Sequence, residues 1–417
     1  MAEPTTGNAG SLGWFRVLVA GHAVSAYGSF VNFVAINLFA YQLTGSALQT
    51  GLFMALRLAS SFVTGLAAGH LVTRYSRKAL MVGCDLTQAA GLAVLALAPA
   101  TRQEQLLYGL AIVLGAGRTL ATVALRSAVP EMVGPELRVR ANGLLMTGRS
   151  LAMVTGYASA GLMVATLDYR TVFLVDAASF VVSAAVLASL PLTMRSTAPA
   201  GSDAAGPGLR RSIGVGAAVL AATPVVGAMV LVRFVDAFGS ASHNVGLPIF
   251  ASIQSVTAPA TVMSLFWASW AVGTLLVSQV VVRAARGGSF LTERAFTAAT
   301  VSMSVFFVIT FAGAPTPVFI AAAFLAGVSD GFAEIAYTSR LQAVPDDKRG
   351  SVFGLSVMAE SSGFGIGMVV SAVLLESLTP FAVVGLLHGC AFALALTFLT
   401  ILLVRHRRRA AVTPVPS

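Results

Sequence analysis

The stretch "RFVDAFGSASHN", residues 233–244, sets an arginine, an aspartate, a histidine and an asparagine into a chain built mostly of Ala, Val, Leu and Phe. In a loop these residues mean little. Inside a membrane helix they mark a face with a purpose, because each charge there costs roughly 2.5–3.5 kcal/mol on insertion scales. The placement of this stretch therefore decides fold and function together. The surrounding composition favours a membrane: of 417 residues, 57% are hydrophobic and 10% charged, against about 25% charged in a soluble domain. Long unbroken apolar runs exclude the alternating strands of about ten residues that a transmembrane β-barrel needs.

Twelve spans can be placed, near 14–41, 47–72, 79–99, 105–126, 141–166, 170–191, 224–250, 259–282, 295–312, 317–339, 350–375 and 380–404. Each has about the 20 residues needed to cross a bilayer. With the N-terminus set in the cytoplasm, twenty of the Lys and Arg residues fall on that side and only Arg102 and Arg170 on the other. This split follows the positive-inside rule and predicts cytoplasmic N- and C-termini in a bacterial inner membrane. The net charge of +10 is then a matter of topology, and the tail "RHRRR", 405–409, reads as an anchor rather than a nucleic-acid arm. The N-terminal apolar run is too long for a signal-peptide core and reads as the first span. Cys84 and Cys390 both lie in spans, and no disulfide framework, metal-ligand spacing or cofactor motif follows from them. Without a nucleophile motif or a phosphate-binding loop, an enzyme is disfavoured.

The chain also repeats itself. Six spans precede "TMRSTAPAGSDAAGPGLRR", 193–211, and six follow it. The expected organisation is an N-terminal six-helix bundle over 1–192, a cytoplasmic linker with a short surface helix over 193–223, a C-terminal six-helix bundle over 224–404, and a basic tail over 405–417. A shift of 211 residues lays "HAVSAYGSFVN", 22–32, over "RFVDAFGSASH", 233–243, so that Ala26-Tyr27-Gly28-Ser29 coincides with Ala237-Phe238-Gly239-Ser240. The same shift sets Arg138, Gly143 and Leu144 over Arg349, Gly354 and Leu355. The first span begins near Trp14, so the seventh should begin near Pro224, and proline is favoured in a first helical turn. The opening stretch then lies inside the membrane.

Arg233, Asp236, Ser240, His243 and Asn244 share one face of this helix. His22, Ser25, Ser29 and Asn32 occupy the matching face of the first. Two such stripes with apolar backs predict an aqueous cavity shared by the halves, with substrate contacts from His22, Ser25, Ser29, Asn32, Arg233, Ser240, His243 and Asn244 and with Asp236 as a candidate for proton coupling. Arg233 and Asp236, at i and i+3, can pair on their own helix, so a purely structural ion pair stands beside a role in transport. In "GVSDGFAEIA", 327–336, Asp330 and Glu334 lie one turn apart, and two carboxylates in low dielectric resist joint ionisation. Either they carry a proton or Arg118 or Arg340 neutralises them. Glu360, near mid-membrane, has Arg149 as its repeat counterpart, a pair that could bridge the halves and break on rocking. Asp236, Asp330, Glu334 and Glu360 are thus the candidate coupling residues, with Arg57, Arg118 and Arg149 as charge partners. Asp85, Asp176 and His388 read as structural.

Together these features resemble the major facilitator superfamily, over essentially the whole chain. "GHLVTRYSRK", 69–78, is similar to that family's loop between helices 2 and 3, usually G-x-x-x-D-R-x-G-R-R/K. Gly69, Arg74, Arg77 and Lys78 match, whereas Thr73 and Ser76 replace the acid and the second glycine. The resemblance implies a cytoplasmic gate at Gly69, Thr73, Arg74, Arg77 and Lys78. Thr73 could still cap a helix by its hydroxyl, although it lacks the charge. "GLLMTGRSLAMVTGYASAG", 143–161, resembles the family's antiporter motif at Gly143, Gly156 and Gly161, with Ala152, Tyr157 and Ala160 in place of Gly, Pro and Gly. "YQLTGSALQTGLFMALRL", "RANGLLMTGRSLA", "FLVDAASFVVSA" and "VPDDKRGSVFGL" look like the branch with macrolide-efflux proteins and the enterobactin exporter. That resemblance implies a proton-driven exporter of bulky amphipathic molecules such as drugs, antibiotics or siderophores, and a monomer is the expected state. A lipid or lysolipid flippase on the same fold is the alternative, and a non-transporting membrane sensor the more distant one.

Overall fold

The computed structural model describes residues 7–190, 209–284 and 291–412. The linker stretch 193–208, with its Arg195, and the basic Arg286 lie outside the described residues. Within them every element is a helix, as expected of a chain in lipid, where backbone N–H and C=O groups must bond internally. The helices are α1 (Gly7–Thr44), α2 (Ala47–Arg74), α3 (Arg77–Leu97), α4 (Ala100–Ser189), α5 (Leu209–Ala222), α6 (Pro224–Gln254), α7 (Pro259–Ala284), α8 (Glu293–Thr310), α9 (Thr316–Gln342), α10 (Asp346–Leu374) and α11 (Pro380–Val412).

Helix α4 holds 90 residues, which would measure about 135 Å if straight, several times the bilayer thickness. Its contacts show that it folds back on itself. Along α1, Val19 and Ala23 meet Gly148 while Tyr27 and Phe30 meet Gly156, so this leg of α4 runs parallel to α1. Gly21 instead meets Val186, and Gly28 meets Asp176 and Ser179, so the next leg runs antiparallel. The reversal falls at Asp168, with a left-handed φ of 66°. Its carboxylate accepts the backbone N–H of Thr171 at 2.8 Å, which caps the following leg as an aspartate N-cap does. Asp168→Gly should therefore be nearly neutral. Asp168→Ala loses the cap and takes on the left-handed penalty, about 1 kcal/mol each, and should lower the melting temperature of the detergent-solubilised protein. Equal melting of the two variants would refute this account.

Counted this way, α1 to α3, the three legs of α4, and α6 to α11 make twelve crossings, near the spans expected from sequence. Among the described residues, ten stretches are long and apolar enough to cross by themselves; one of them, Arg140–Ser189, holds two legs of α4. The 18-residue α8 is the twelfth crossing. Pro224 opens α6, so residues 233–244 lie in a membrane helix. Short α5 lays Val219 and Leu220 against the core formed by Val226, Met229, Phe296, Tyr337 and Leu341.

The chain divides into two compact units, residues 1–202 with 251–268, and residues 203–250 with 269–417. The repeat is visible in the packing of each. In the first unit, a Cβ added to Gly156 would lie 3.0 Å from the Tyr27 carbonyl oxygen and 2.8 Å from Phe30 Cβ. In the second, one added to Gly367 would strike the Phe238 carbonyl oxygen and lie 2.8 Å from Ala241 Cβ. All three residues of the second contact are those of the first shifted by 211 positions. The fold is two pseudo-symmetric six-helix bundles.

Candidate functional site

In the first unit, α1 turns its polar stripe toward a cavity of about 680 Å³, within the 300–1,000 Å³ common for small-molecule sites. His22, Ser25, Ser29 and Asn32 all line it, as do Arg57 of α2 and Arg118 and Arg149 of α4. The sequence assigns Asp85 and Asp176 to structure, yet both also face this cavity. Asp176 accepts the Ser179 hydroxyl at 3.2 Å through Oδ1, while its buried Oδ2 has no partner among the described residues. Arg126, Gln88, Asn142, Thr122 and Ser183 complete the polar lining. One signal for Gln88 was available: it lies one turn from Asp85, in the middle of a mostly apolar α3. The Arg118 and Arg149 guanidinium carbons both lie over the ring of Phe30, at 6.0 and 5.8 Å.

In the second unit, Arg233 is a hub. Its Nη1 donates to Asp236 at 3.1 Å, and its Nη2 donates to Glu334 at 2.7 Å and Glu360 at 3.2 Å. The guanidinium also lies over the ring of Tyr337 at 5.9 Å. Arginine suits this position because its planar fork serves several acceptors at once. Thus α6, α9 and α10 are tied by one cation. The Asp236 side chain is 5% exposed, whereas those of Glu334 and Glu360 are 52% and 43% exposed. The two carboxylates of α9 separate: Glu334 goes to Arg233, while Asp330 accepts the Trp270 indole N–H of α7 at 3.1 Å.

Several expectations need correction. The anticipated neutralising partners of Asp330 and Glu334 are engaged elsewhere: Arg340 pairs with Glu293, and Arg118 lines the first unit's cavity. Glu360 finds its cation in Arg233 of its own unit. His243 is buried, with Nδ1 3.1 Å from His388 Nε2 and its ring stacked on Phe307 at 4.0 Å, so it belongs to the packing of α6 on α8 and α11. Asn244 turns its amide back to the Ser240 carbonyl at 2.9 Å. Helical periodicity put these residues on one face, but a neighbouring helix had already taken part of that face.

The 69–78 loop clasps helix ends within the first unit. Arg77 donates to the Ser127 carbonyl at 3.1 Å. Lys78 donates to the Ala188 and Leu190 carbonyls at 2.8 and 2.7 Å, as cations do at a helix C-terminus. The cap of α3 is Ser76, not Thr73: the Ser76 hydroxyl accepts from Ala79 N–H, and the Thr73 hydroxyl donates to the His70 carbonyl at 2.8 Å. Ser76 begins the helix one residue before Arg77, too late for Thr73 to reach its free N–H groups. Arg74 lies over Tyr75 at 5.8 Å, and a Cβ at Gly69 would meet nothing within 4 Å.

Comparison with known proteins places this geometry. The family model described as Major Facilitator Superfamily matches residues 18–301. A curated relative, macrolide efflux protein A of Streptococcus pyogenes, is 29% identical over 177 residues, 42% of this chain and 44% of that protein. The match thus spans less than half of the relative's length. Among solved structures, the nucleoside transporter NupG has a TM-score of 0.71 at 14% identity, covering 93% of this chain and 98% of that one. A bacterial homologue of the iron transporter ferroportin gives 0.69 at 17% identity, covering 93% and 98%. At such identities these structures speak to the fold.

Proposed function

The chain belongs to the major facilitator superfamily, and on that premise we propose that this membrane transporter is a secondary-active exporter. Its cargo is a bulky amphipathic small molecule, a drug, antibiotic or siderophore, exchanged for protons by alternating access. The proposal includes cytoplasmic termini, a gate at the 69–78 loop, a monomer in a bacterial inner membrane, and substrate contacts from both halves. The efflux relative supports the direction of transport.

One observation carries the coupling: a single guanidinium shared by Asp236, Glu334 and Glu360, with Asp330 on Trp270 nearby in sequence. Three carboxylates on three helices depend on one permanent cation. Protonating Glu334 or Glu360 removes one acceptor from Arg233 and loosens α9 or α10 from α6. Losing the proton restores the tie. Proton occupancy thereby biases which arrangement of these helices is favoured, as a coupling ion must.

The test is efflux from proteoliposomes loaded with compounds found by an accumulation screen in an efflux-deficient host. An imposed pH gradient is expected to drive flux, and collapsing it to stop that flux. Asp236→Asn, Asp330→Asn, Glu334→Gln and Glu360→Gln are each compared. A hydrogen bond to a charged group is worth about 1.5–3 kcal/mol, so loss of gradient-driven rate by about tenfold or more is expected in at least one variant. Full gradient-driven transport in all four would overturn the coupling assignment, and flux indifferent to the gradient would overturn proton exchange.

A further inference from the structure

The two buried charge clusters are opposite in sign. In the second unit, three carboxylates share Arg233. In the first, the cavity is lined by Arg57, Arg118, Arg126 and Arg149 against only Asp85 and Asp176. Arginine keeps its charge under all ordinary conditions. Among the described residues none of these four guanidiniums makes an ion pair; the partners of Arg118 and Arg149 are the face of Phe30. Four like charges on one cavity wall repel each other, and a cation–π contact leaves the N–H edges of a guanidinium free to donate. Structural arginines in a membrane bundle come with a carboxylate, as Arg233 does. These four share only Asp85 and Asp176 across the cavity, with no ion pair among the described residues, and three of them, Arg118, Arg126 and Arg149, are exposed where they line it. The remaining wall includes Leu18, Phe30, Met81, Leu145 and Phe180.

From this we infer that the cargo is an amphipathic organic anion, its acidic group bound by Arg118 and Arg149 and its apolar body lying on the Leu, Met and Phe wall. This inference rests on the export reading and narrows its substrate class. A carboxylate or phosphate accepts paired N–H bonds from guanidinium forks, and its charge relieves the repulsion among them. The ligand completes the cavity as the carboxylates complete Arg233. An anionic lipid headgroup shares this chemistry.

The test uses the full chain in phosphatidylcholine nanodiscs and two matched pairs of probes, cholate with methyl cholate and octanoate with methyl octanoate. Each acid is expected to bind more tightly than its uncharged ester by about tenfold or more, the scale of a charge-assisted hydrogen bond. Arg118→Gln with Arg149→Gln should bring that ratio close to one by weakening the acid far more than the ester, and Arg118→Lys with Arg149→Lys should recover part of it. The Lys variant and a melting curve separate loss of the site from loss of the fold. Equal binding of acid and ester, binding of neither pair, or a preference untouched by the Gln variant would each overturn the inference. Repeating the titration with phosphatidylglycerol in the nanodiscs identifies the source: competition points to a lipid anion, its absence to a free one, and both retain the site. Arg-dependent anion binding without flux in vesicles would refute export and leave the site standing. Gradient-driven export of uncharged compounds with no acid preference would do the reverse.

Discussion

Arg233→Met is expected to be the most damaging single substitution in the second unit, and its effect should be largely reversed by adding Asp236→Leu. The expectation follows from where the charge is left. Removing one partner of a buried ion pair costs about 3–5 kcal/mol, mostly because the other charge is stranded, whereas replacing both by apolar groups is often neutral or better. Of the three carboxylates on Arg233, Glu334 and Glu360 are about half exposed, and water screens much of their loss. The penalty falls on Asp236, whose side chain is 5% exposed and whose Oδ1 already has no partner among the described residues. The single variant should therefore lose about 3 kcal/mol, near the lower end of that range. The measurement is thermal unfolding in detergent of wild type, each single variant and the pair, read as a double-mutant cycle. A pair no more stable than Arg233→Met would show that Asp236 is not the stranded charge. Arg233→Lys should fall between, since a compact ammonium cannot span the three acceptors that the guanidinium fork serves. Under the proposed coupling, the doubly apolar protein recovers its fold without recovering gradient-driven transport.

What the sequence reveals of this cluster depends on distance along the chain. Asp236 is three residues from Arg233, one turn of the same helix, and was legible as its partner. Glu334 and Glu360 lie 101 and 127 residues away, and no periodicity within one helix connects them. The twelve crossings were legible for a different reason: apolar length and turn residues are local properties, and the 211-residue repeat placed the start of the seventh span at Pro224, where α6 begins. Reading a face as polar proved weaker than reading a helix as present. His22, Ser25, Ser29 and Asn32 do line one cavity. On the matching helix, His243 is consumed by His388, because α11 brings its own histidine to that face. Asp176 shows the converse. It looked structural because nothing on its own helix required an aqueous neighbour, and it lines the cavity beside Asn32 of α1.

Gly367→Ala should be strongly destabilising although, on helix propensity alone, it ought to help. Alanine is favoured over glycine by about 1 kcal/mol inside a helix. At Gly385 and Gly389 in α11 an added Cβ meets nothing within 4 Å, so Gly385→Ala and Gly389→Ala should melt at or above the wild-type temperature. At Gly367 the methyl group would strike the carbonyl oxygen of Phe238 and lie 2.8 Å from Ala241 Cβ. A backbone carbonyl on a packed helix cannot swing aside as a side chain can. Overpacking of this kind costs about 1–3 kcal/mol, enough to outweigh the propensity gain. It also separates α6 from α10, and in lipid close approach at small residues is a main source of helix association, because the solvent offers no hydrophobic drive between helices. Gly156→Ala should be destabilising in the same direction but less so: its obstacles, Phe30 Cβ at 2.8 Å and the Tyr27 oxygen at 3.0 Å, are less severe. The two substitutions probe one contact in two copies, related by the same shift that aligned the opening stretch with residues 22–32. Melting curves in detergent decide the matter. If Gly367→Ala matched the Gly385 control, the repeat would be a likeness of sequence without a shared packing contact. Loss at both positions, ordered Gly367 before Gly156, would make the duplicated glycine seat the feature that preserved the Ala-aromatic-Gly-Ser core in both halves.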